Sequence, residues 1–234
     1  MFRPPSQKLV YFWLLTFTAA EMKEFCSKVE LIRRDQWNAR LPKDYESMKI
    51  PVPFVFIHHT AMPECFDLSS CKEEVKKIQD LHMNTNNWSD IGYNFLVGED
   101  RRVYEARGWN RTGAHTKYYN NVSIAISVMG NYMSRLPRPT ALKAVQNMIA
   151  CGVQKGYIVR NYKLFAHRDV RETLSPGDAL YERIKQWPHY SHNPPNLHQE
   201  SNLAQSSSSL SILSTSKKLV IHVTLLHISL AFFN

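Results

Sequence analysis

Val52-Pro53-Phe54-Val55-Phe56-Ile57-His58-His59-Thr60-Ala61 is the stretch on which the reading of this chain turns. Its unbroken run of aromatic and β-branched residues predicts a strand buried on both faces. Side chains alternate along a strand, so His58 and His59 are expected to point to opposite sides. At most one of them can face a given metal, which leaves the other for a ligand. Taken alone, the pair could equally be polar residues that close a strand without a task.

Working outward, the flanking chain reads as a mixture of strands and helices. Trp37 is expected to anchor the core of the mixed segment that precedes the strand. Ser70-Cys71-Lys72-Glu73 matches a capping box and predicts a helix start. Val75, Ile78, Leu81 and His82 follow at helical spacing, with Lys72, Glu73, Glu74, Lys76 and Lys77 as the solvated face. His82 alone reads as a core histidine. Residues 92–109 predict a hairpin in which Tyr93, Phe95 and Val97 alternate. Its turn is Gly98-Glu99-Asp100-Arg101-Arg102, and Val103-Tyr104-Glu105 returns. Ser123–Val128 predicts another apolar strand. Pro139-Thr140 opens a second helix that buries Leu142, Val145, Met148 and Ile149. Lys163–Ala166 is a short strand delivering His167, and a last helix is expected over 178–187. The fold class is therefore α/β, one domain over residues 24–192 with a central mixed β-sheet flanked by helices. No internal repeat is visible.

The ends of the chain read differently. Arg3 and Lys8 precede an apolar run from Leu9 to Ala20, the pattern of a secretory signal peptide over 1–20. Residues 193–218 form a Ser-rich linker of disordered composition. Residues 219–234 are a hydrophobic tail, shorter than the ~20 residues of a membrane span. It reads either as a GPI-anchor signal, weakened by His222 and His227, or as an unprocessed tail. The expected location is secreted, or anchored at the cell surface, with a membrane contact only through that tail.

The chain has 234 residues and a formal net charge of +9, which favours an anionic partner. Secretion excludes nucleic acid and makes disulfides the expected state of cysteine. Four cysteines allow three pairings. Cys65 and Cys71 are close enough to clip one loop, which leaves Cys26 with Cys151. Three glycosylation sequons begin at Asn87, Asn110 and Asn121.

In order, these stretches resemble the peptidoglycan-recognition protein family. The match rests on Ile57-His58-His59-Thr60-Ala61, the Cys65…Cys71 clip, Asp90-Ile91-Gly92-Tyr93-Asn94-Phe95-Leu96-Val97-Gly98 and Val103-Tyr104-Glu105-Ala106-Arg107-Gly108-Trp109-Asn110. Gly113-Ala114-His115-Thr116, Ala166-His167-Arg168-Asp169-Val170 and Leu174-Ser175-Pro176-Gly177 complete it. The resemblance covers about residues 26–190 and supports the same cysteine pairing. It implies a domain resembling N-acetylmuramoyl-L-alanine amidases, with a groove for the muramyl peptide of bacterial cell wall, and a role in innate immunity.

In the catalytic branch of that family two histidines and a cysteine hold zinc, with water in the fourth place, an arrangement suited to amide hydrolysis. Carried onto this chain, the histidines are His58 and His167. The assisting residues are Tyr93 and Thr173, and the cysteine position is Ser175. A cysteine binds as thiolate, whereas a neutral serine hydroxyl is a poor zinc ligand. The resemblance therefore implies a non-catalytic receptor without a cofactor, in which His58, His167, Ser175, Tyr93 and Thr173 are vestiges of a zinc site. The alternative is a zinc-dependent amidase with a substituted ligand, and a third reading is a scaffold that keeps the fold alone.

By the same resemblance, ligand contacts fall on His59, Thr60, His82, Asn87, Trp88, Tyr93, Arg107 and His115. This revises the core reading of His82. Arg107 is the informative one. Stem peptides carry lysine or diaminopimelate at their third residue, and the latter's additional carboxylate suits a planar guanidinium. In the family an arginine here goes with Gly-Trp at 87–88. This chain has Asn87-Trp88, and lysine-type members have Asn-Phe, so the reading leans to diaminopimelate. Partners implied are peptidoglycan fragments, with signalling by assembly with another protein or a second copy; none is readable in the residues.

Overall fold

The computed structural model describes residues 24–197. The expected signal peptide, most of the linker and the hydrophobic tail lie outside the described residues. The strands are β1 Leu31–Ile32, β2 Val52–His59, β3 Phe95–Val97, β4 Val103–Glu105, β5 Ser123–Val128 and β6 Ile158–Ala166. They form a six-stranded sheet in the order β1-β4-β3-β5-β2-β6. Only the β3–β4 hairpin is antiparallel; the other neighbours run parallel. This is the α/β domain with a mixed central sheet that the sequence predicts.

β2 and β5 lie inside the sheet, which is why both read as predominantly apolar. Alternation sorts their side chains. Val55, Ile57, Ile124, Ile126 and Val128 join one core with Val145, Met148 and Ile149 of the long helix Pro139–Gln154. On the other face, Phe56 and Phe165 pack with Tyr119. A third cluster joins Val75 and Ile78 of the helix Leu68–Asp80 to Trp37, Leu96 and Tyr104. Burying each large apolar side chain contributes about 1.5–3 kcal/mol. Trp37 is fully buried and its Nε1–H donates to Glu105 O at 2.9 Å, so the expected anchor also pins the edge of the hairpin. Two disulfides, Cys26–Cys151 and Cys65–Cys71, tie the short helix Glu24–Ser27 to the long helix and clip the start of Leu68–Asp80.

Four boundaries differ from the sequence reading. The first main helix starts at Leu68, not after Ser70. Asp67 is the cap: its carboxylate accepts from Ser70 N–H, and Ser70 Oγ accepts in return from Asp67 N–H. A carboxylate placed earlier outcompetes the serine as a cap. The helix then passes into a π-turn at Leu81–Thr85. That turn shifts the buried stripe, leaving Leu81 exposed while His82 and Met83 turn inward. Glu74, expected on the solvated face, is buried beside Lys77. β6 is longer than 163–166, because Arg160 and Lys163 stay exposed on an edge strand and break the apolar signal. The last helix spans Asp178–Ile184; its continuation tightens to three-residue turns, Gln186 N–H to Arg183 O and Trp187 N–H to Ile184 O. No helix among the described residues is long and apolar enough to cross a membrane.

Candidate functional site

The end of β2 delivers His58 to the face that carries Phe54 and Phe56, and His59 to the opposite face, as alternation requires. His58 pairs in register with Ser127, whose small side chain leaves room above the sheet. Around His58 stand His167 at 4.4 Å, Tyr93 at 5.2 Å and His115 at 5.5 Å between ring centroids. Tyr93 leads on to His82 at 5.7 Å, and His82 to Trp88 at 4.6 Å. The result is a continuous run of rings from the β6 end to the π-turn. His58 is almost fully buried, whereas Trp88 at the far end is 37% exposed.

Each ring is placed by local bonds. His167 follows β6 in a short turn, where Asp169 accepts from Ala166 N–H and from the hydroxyls of Tyr181 and Tyr190. Asn120 Oδ1 accepts the backbone N–H groups of His115 and Thr116. Thr116 Oγ1 then bridges His115 Nδ1 at 2.9 Å and His58 Nε2 at 3.4 Å. His115 Nε2 is buried without a hydrogen-bond partner. His82 Nδ1 accepts from Gly92 N–H at 3.1 Å. Arg107 sits just past β4, with Nε on Ile91 O at 2.7 Å and Nη1 on Thr112 O at 2.6 Å. The buried Asn94 ties this turn to the sheet, accepting from Ala125 N–H and donating to Gly108 O and Arg111 O.

The imidazoles are held neutral. Burial, then the neighbouring His167, His115 and His59, holds His58 well below its ordinary value. His115 falls to about 3 through burial, then His167 and Arg107. His82 falls to about 4 through burial, then Arg107, with Asp90 opposing. His167 falls to about 4 through burial, then Arg171 and His59. Burial also raises Tyr93, with the Ser127 hydroxyl opposing. Arg107 is lowered by burial, offset by Asp90. Neutral rings beside a cation suit a ligand that alternates apolar and anionic groups.

The remaining residues named from sequence are placed as follows. His59 faces away from the ring cluster; its Nδ1 accepts from Tyr132 N–H at 3.3 Å, and burial, then Arg168, brings it to about 4. The Thr60 hydroxyl accepts from Gly130 N–H and Met62 N–H, which commits it to the strand-end turn. Asn87 Oδ1 accepts from Lys43 Nζ. Thr173 Oγ1 accepts from Ser175 N–H, and Ser175 Oγ accepts from His59 N–H at 3.3 Å. His58 and His167 supply two imidazoles, 4.4 Å apart between ring centroids, and the position that the resemblance assigns to the third ligand, Ser175, offers only a neutral hydroxyl, a weak donor for zinc. Among the described residues, no three histidine, cysteine, aspartate or glutamate side chains form a metal-binding group.

Sequence reasoning gave no task to Thr116, Asn120 or Lys43. Asn94 and Thr116 fell within quoted motifs, and Asn94 is a polar residue interrupting an apolar run, which is the one signal that could have marked it. Asn120 and Lys43 lie in polar loops where nothing sets them apart.

A family profile described as N-acetylmuramoyl-L-alanine amidase matches residues 48–178. The chain is 47% identical over 161 residues to peptidoglycan recognition protein 1 of Bos indicus, covering 68% of this chain and 85% of that protein. It is 41% identical over 174 residues to peptidoglycan-recognition protein LB of Drosophila melanogaster, covering 74% and 75%. Among solved structures, peptidoglycan recognition protein LE in complex with tracheal cytotoxin, a monomeric diaminopimelic acid-type peptidoglycan, aligns with a TM-score of 0.69 at 40% identity, over 70% of this chain and 96% of that one.

Proposed function

Because the chain belongs to the peptidoglycan-recognition protein family, with its amidase-like domain, we propose that it is an innate immune receptor that binds muramyl peptides without cutting them. The observation that carries the non-hydrolytic reading is Ser175. It stands where the catalytic branch has its cysteine, and its hydroxyl oxygen already accepts from His59 N–H. A neutral oxygen so engaged is a poor third partner for zinc beside His58 and His167. No hydrolytic step is therefore assigned to this chain, and no cofactor.

The run of rings from Trp88 to His58 supports the binding half of the proposal. Such rings supply apolar walls for a sugar and a stem peptide. Arg107 supports diaminopimelate at the third stem position. Two of its N–H groups hold the backbone at Ile91 and Thr112, which fixes the guanidinium plane. Its remaining donors are available for a carboxylate. The solved relative that binds diaminopimelic acid-type peptidoglycan adds to this lean. Secretion, or display at the cell surface through the tail, belongs to the same proposal and follows from the signal-like residues 1–20.

The test is calorimetric titration of the protein with diaminopimelate-type and lysine-type muramyl peptides, with metal analysis and product assay on the same sample. Binding without stem-peptide release supports the receptor. Stoichiometric zinc with multiple turnovers establishes the amidase instead. Failure to bind either peptide leaves a scaffold.

A further inference from the structure

Lys43 lies far from the groove residues in sequence and belongs to none of the motifs, yet it grips the loop that carries Trp88. Its backbone N–H donates to Ser89 O at 2.9 Å. Its ammonium donates to Met83 O at 2.9 Å and to Asn87 Oδ1 at 2.8 Å. One residue thus bonds to both ends and to the middle of the segment 83–89. Inside that segment Trp88 N–H donates to His82 O at 2.8 Å, and the indole lies against the His82 ring. The indole also meets Gly92, where an added Cβ would stand 2.9 Å from Trp88 Cζ3 and 2.6 Å from Ala114 O. The indole is therefore in contact with a ring and with a bare backbone, and its loop is the part that needs holding.

Asn87 has φ +55°, in the left-handed region. Glycine enters that region freely, and asparagine is among the few other residues that enter it at modest cost. Asn87 thus does the backbone work of a glycine, while its carboxamide oxygen is committed to the lysine. We propose that Lys43 is a positioning residue for the ligand groove, clasping the 83–89 loop through Met83 and Asn87 so that Trp88 stands as a groove wall. The clasp explains how an asparagine precedes the tryptophan here without disturbing it. The groove half of this inference rests on the function proposed above; the clasp itself does not.

The test is Lys43→Met in the full chain, which keeps the aliphatic stem and removes the ammonium. Hydrogen exchange at the 83–89 amides is expected to rise at least about tenfold, the worth of one charge-assisted bond. Affinity for a diaminopimelate-type muramyl tetrapeptide is expected to fall about three- to tenfold, and Lys43→Arg to restore most of it. In an Asn87→Gly background the Lys43→Met effect on exchange should shrink, since one acceptor has gone. Unchanged exchange in the loop, or full additivity with Asn87→Gly, overturns the clasp. Faster exchange with unchanged affinity overturns the positioning role. A wild-type chain that binds no muramyl peptide overturns the receptor reading, and exchange then still decides the clasp.

Discussion

The backbone N–H of His59 donates to the hydroxyl oxygen of Ser175 across 3.3 Å, joining the end of β2 to the turn after β6. The same turn is fixed by Ser175 N–H on Thr173 Oγ1 and by Arg168 N–H on Ser175 O. On the function proposed above Ser175 is the third position of the site, and these bonds fix its backbone. What the position lacks is a donor that ionises readily.

Ser175→Cys tests this directly. A thiolate is reached from a pKa near 8.5, which a metal lowers further. Both partner imidazoles are held neutral by burial, the state in which they ligate. The variant is expected to retain about one zinc per chain through dialysis, where the wild type retains little. Zinc content by elemental analysis checks it. A variant as metal-poor as the wild type shows that the His58–His167 geometry, not the missing sulfur, is the obstacle.

Arg107→Lys separates charge from shape. The lysine keeps the cation but loses the fork that holds Ile91 O and Thr112 O. Affinity for diaminopimelate-type peptide is expected to fall about tenfold, with little change for lysine-type peptide. Titration of both peptides measures the ratio. Equal losses for the two remove Arg107 from any role in choosing between them.

Much of this site was legible before the fold was known, and the legible part has a common cause. Val52–His59 and Ser123–Val128 are inner strands, so burial on both faces wrote predominantly apolar segments. His58 and His59 could be sent to opposite faces from alternation alone. The part that stayed hidden depends on contacts distant in sequence. Thr116 meets His58 across 58 positions, and Lys43 meets Asn87 across 44. Neither bond leaves a local pattern. The π-turn at Leu81–Thr85 was hidden too, because helical spacing assumes a constant turn. β6 was read short because an edge strand shows solvent half of its side chains.

The two disulfides should differ in worth. Cys26–Cys151 closes a loop of 125 residues and Cys65–Cys71 one of 6. Loop-closure entropy alone assigns about 5 kcal/mol to the first and about 2 kcal/mol to the second. Replacing both cysteines of a pair by serine, with denaturant melts as readout, should rank them in that order. The reverse ranking points to packing around Cys71, where both sulfurs approach Gly98, as the larger effect.

Acid should loosen the fold before the carboxylates titrate. His58, His59 and His82 are buried in the native state with values below the ordinary 6.5, about 4 for His59 and His82. In the unfolded chain each takes up its proton near 6.5. Between pH 6.5 and 4 the unfolded state therefore binds more protons than the native state, and stability rises with pH across that window. Above 6.5 both states are neutral and these groups contribute no slope. Falling from pH 7 to 5, each histidine withdraws up to about 1.4 kcal/mol per pH unit once below 6.5. Thermal melts from pH 7.5 to 5.0 should show a Tm that is flat above 7 and declines below 6.5. His82→Gln should make that decline shallower by about one proton. A Tm independent of pH between 7 and 5 means that the three rings take up protons in the native state as readily as in the unfolded chain, so that burial does not hold them neutral.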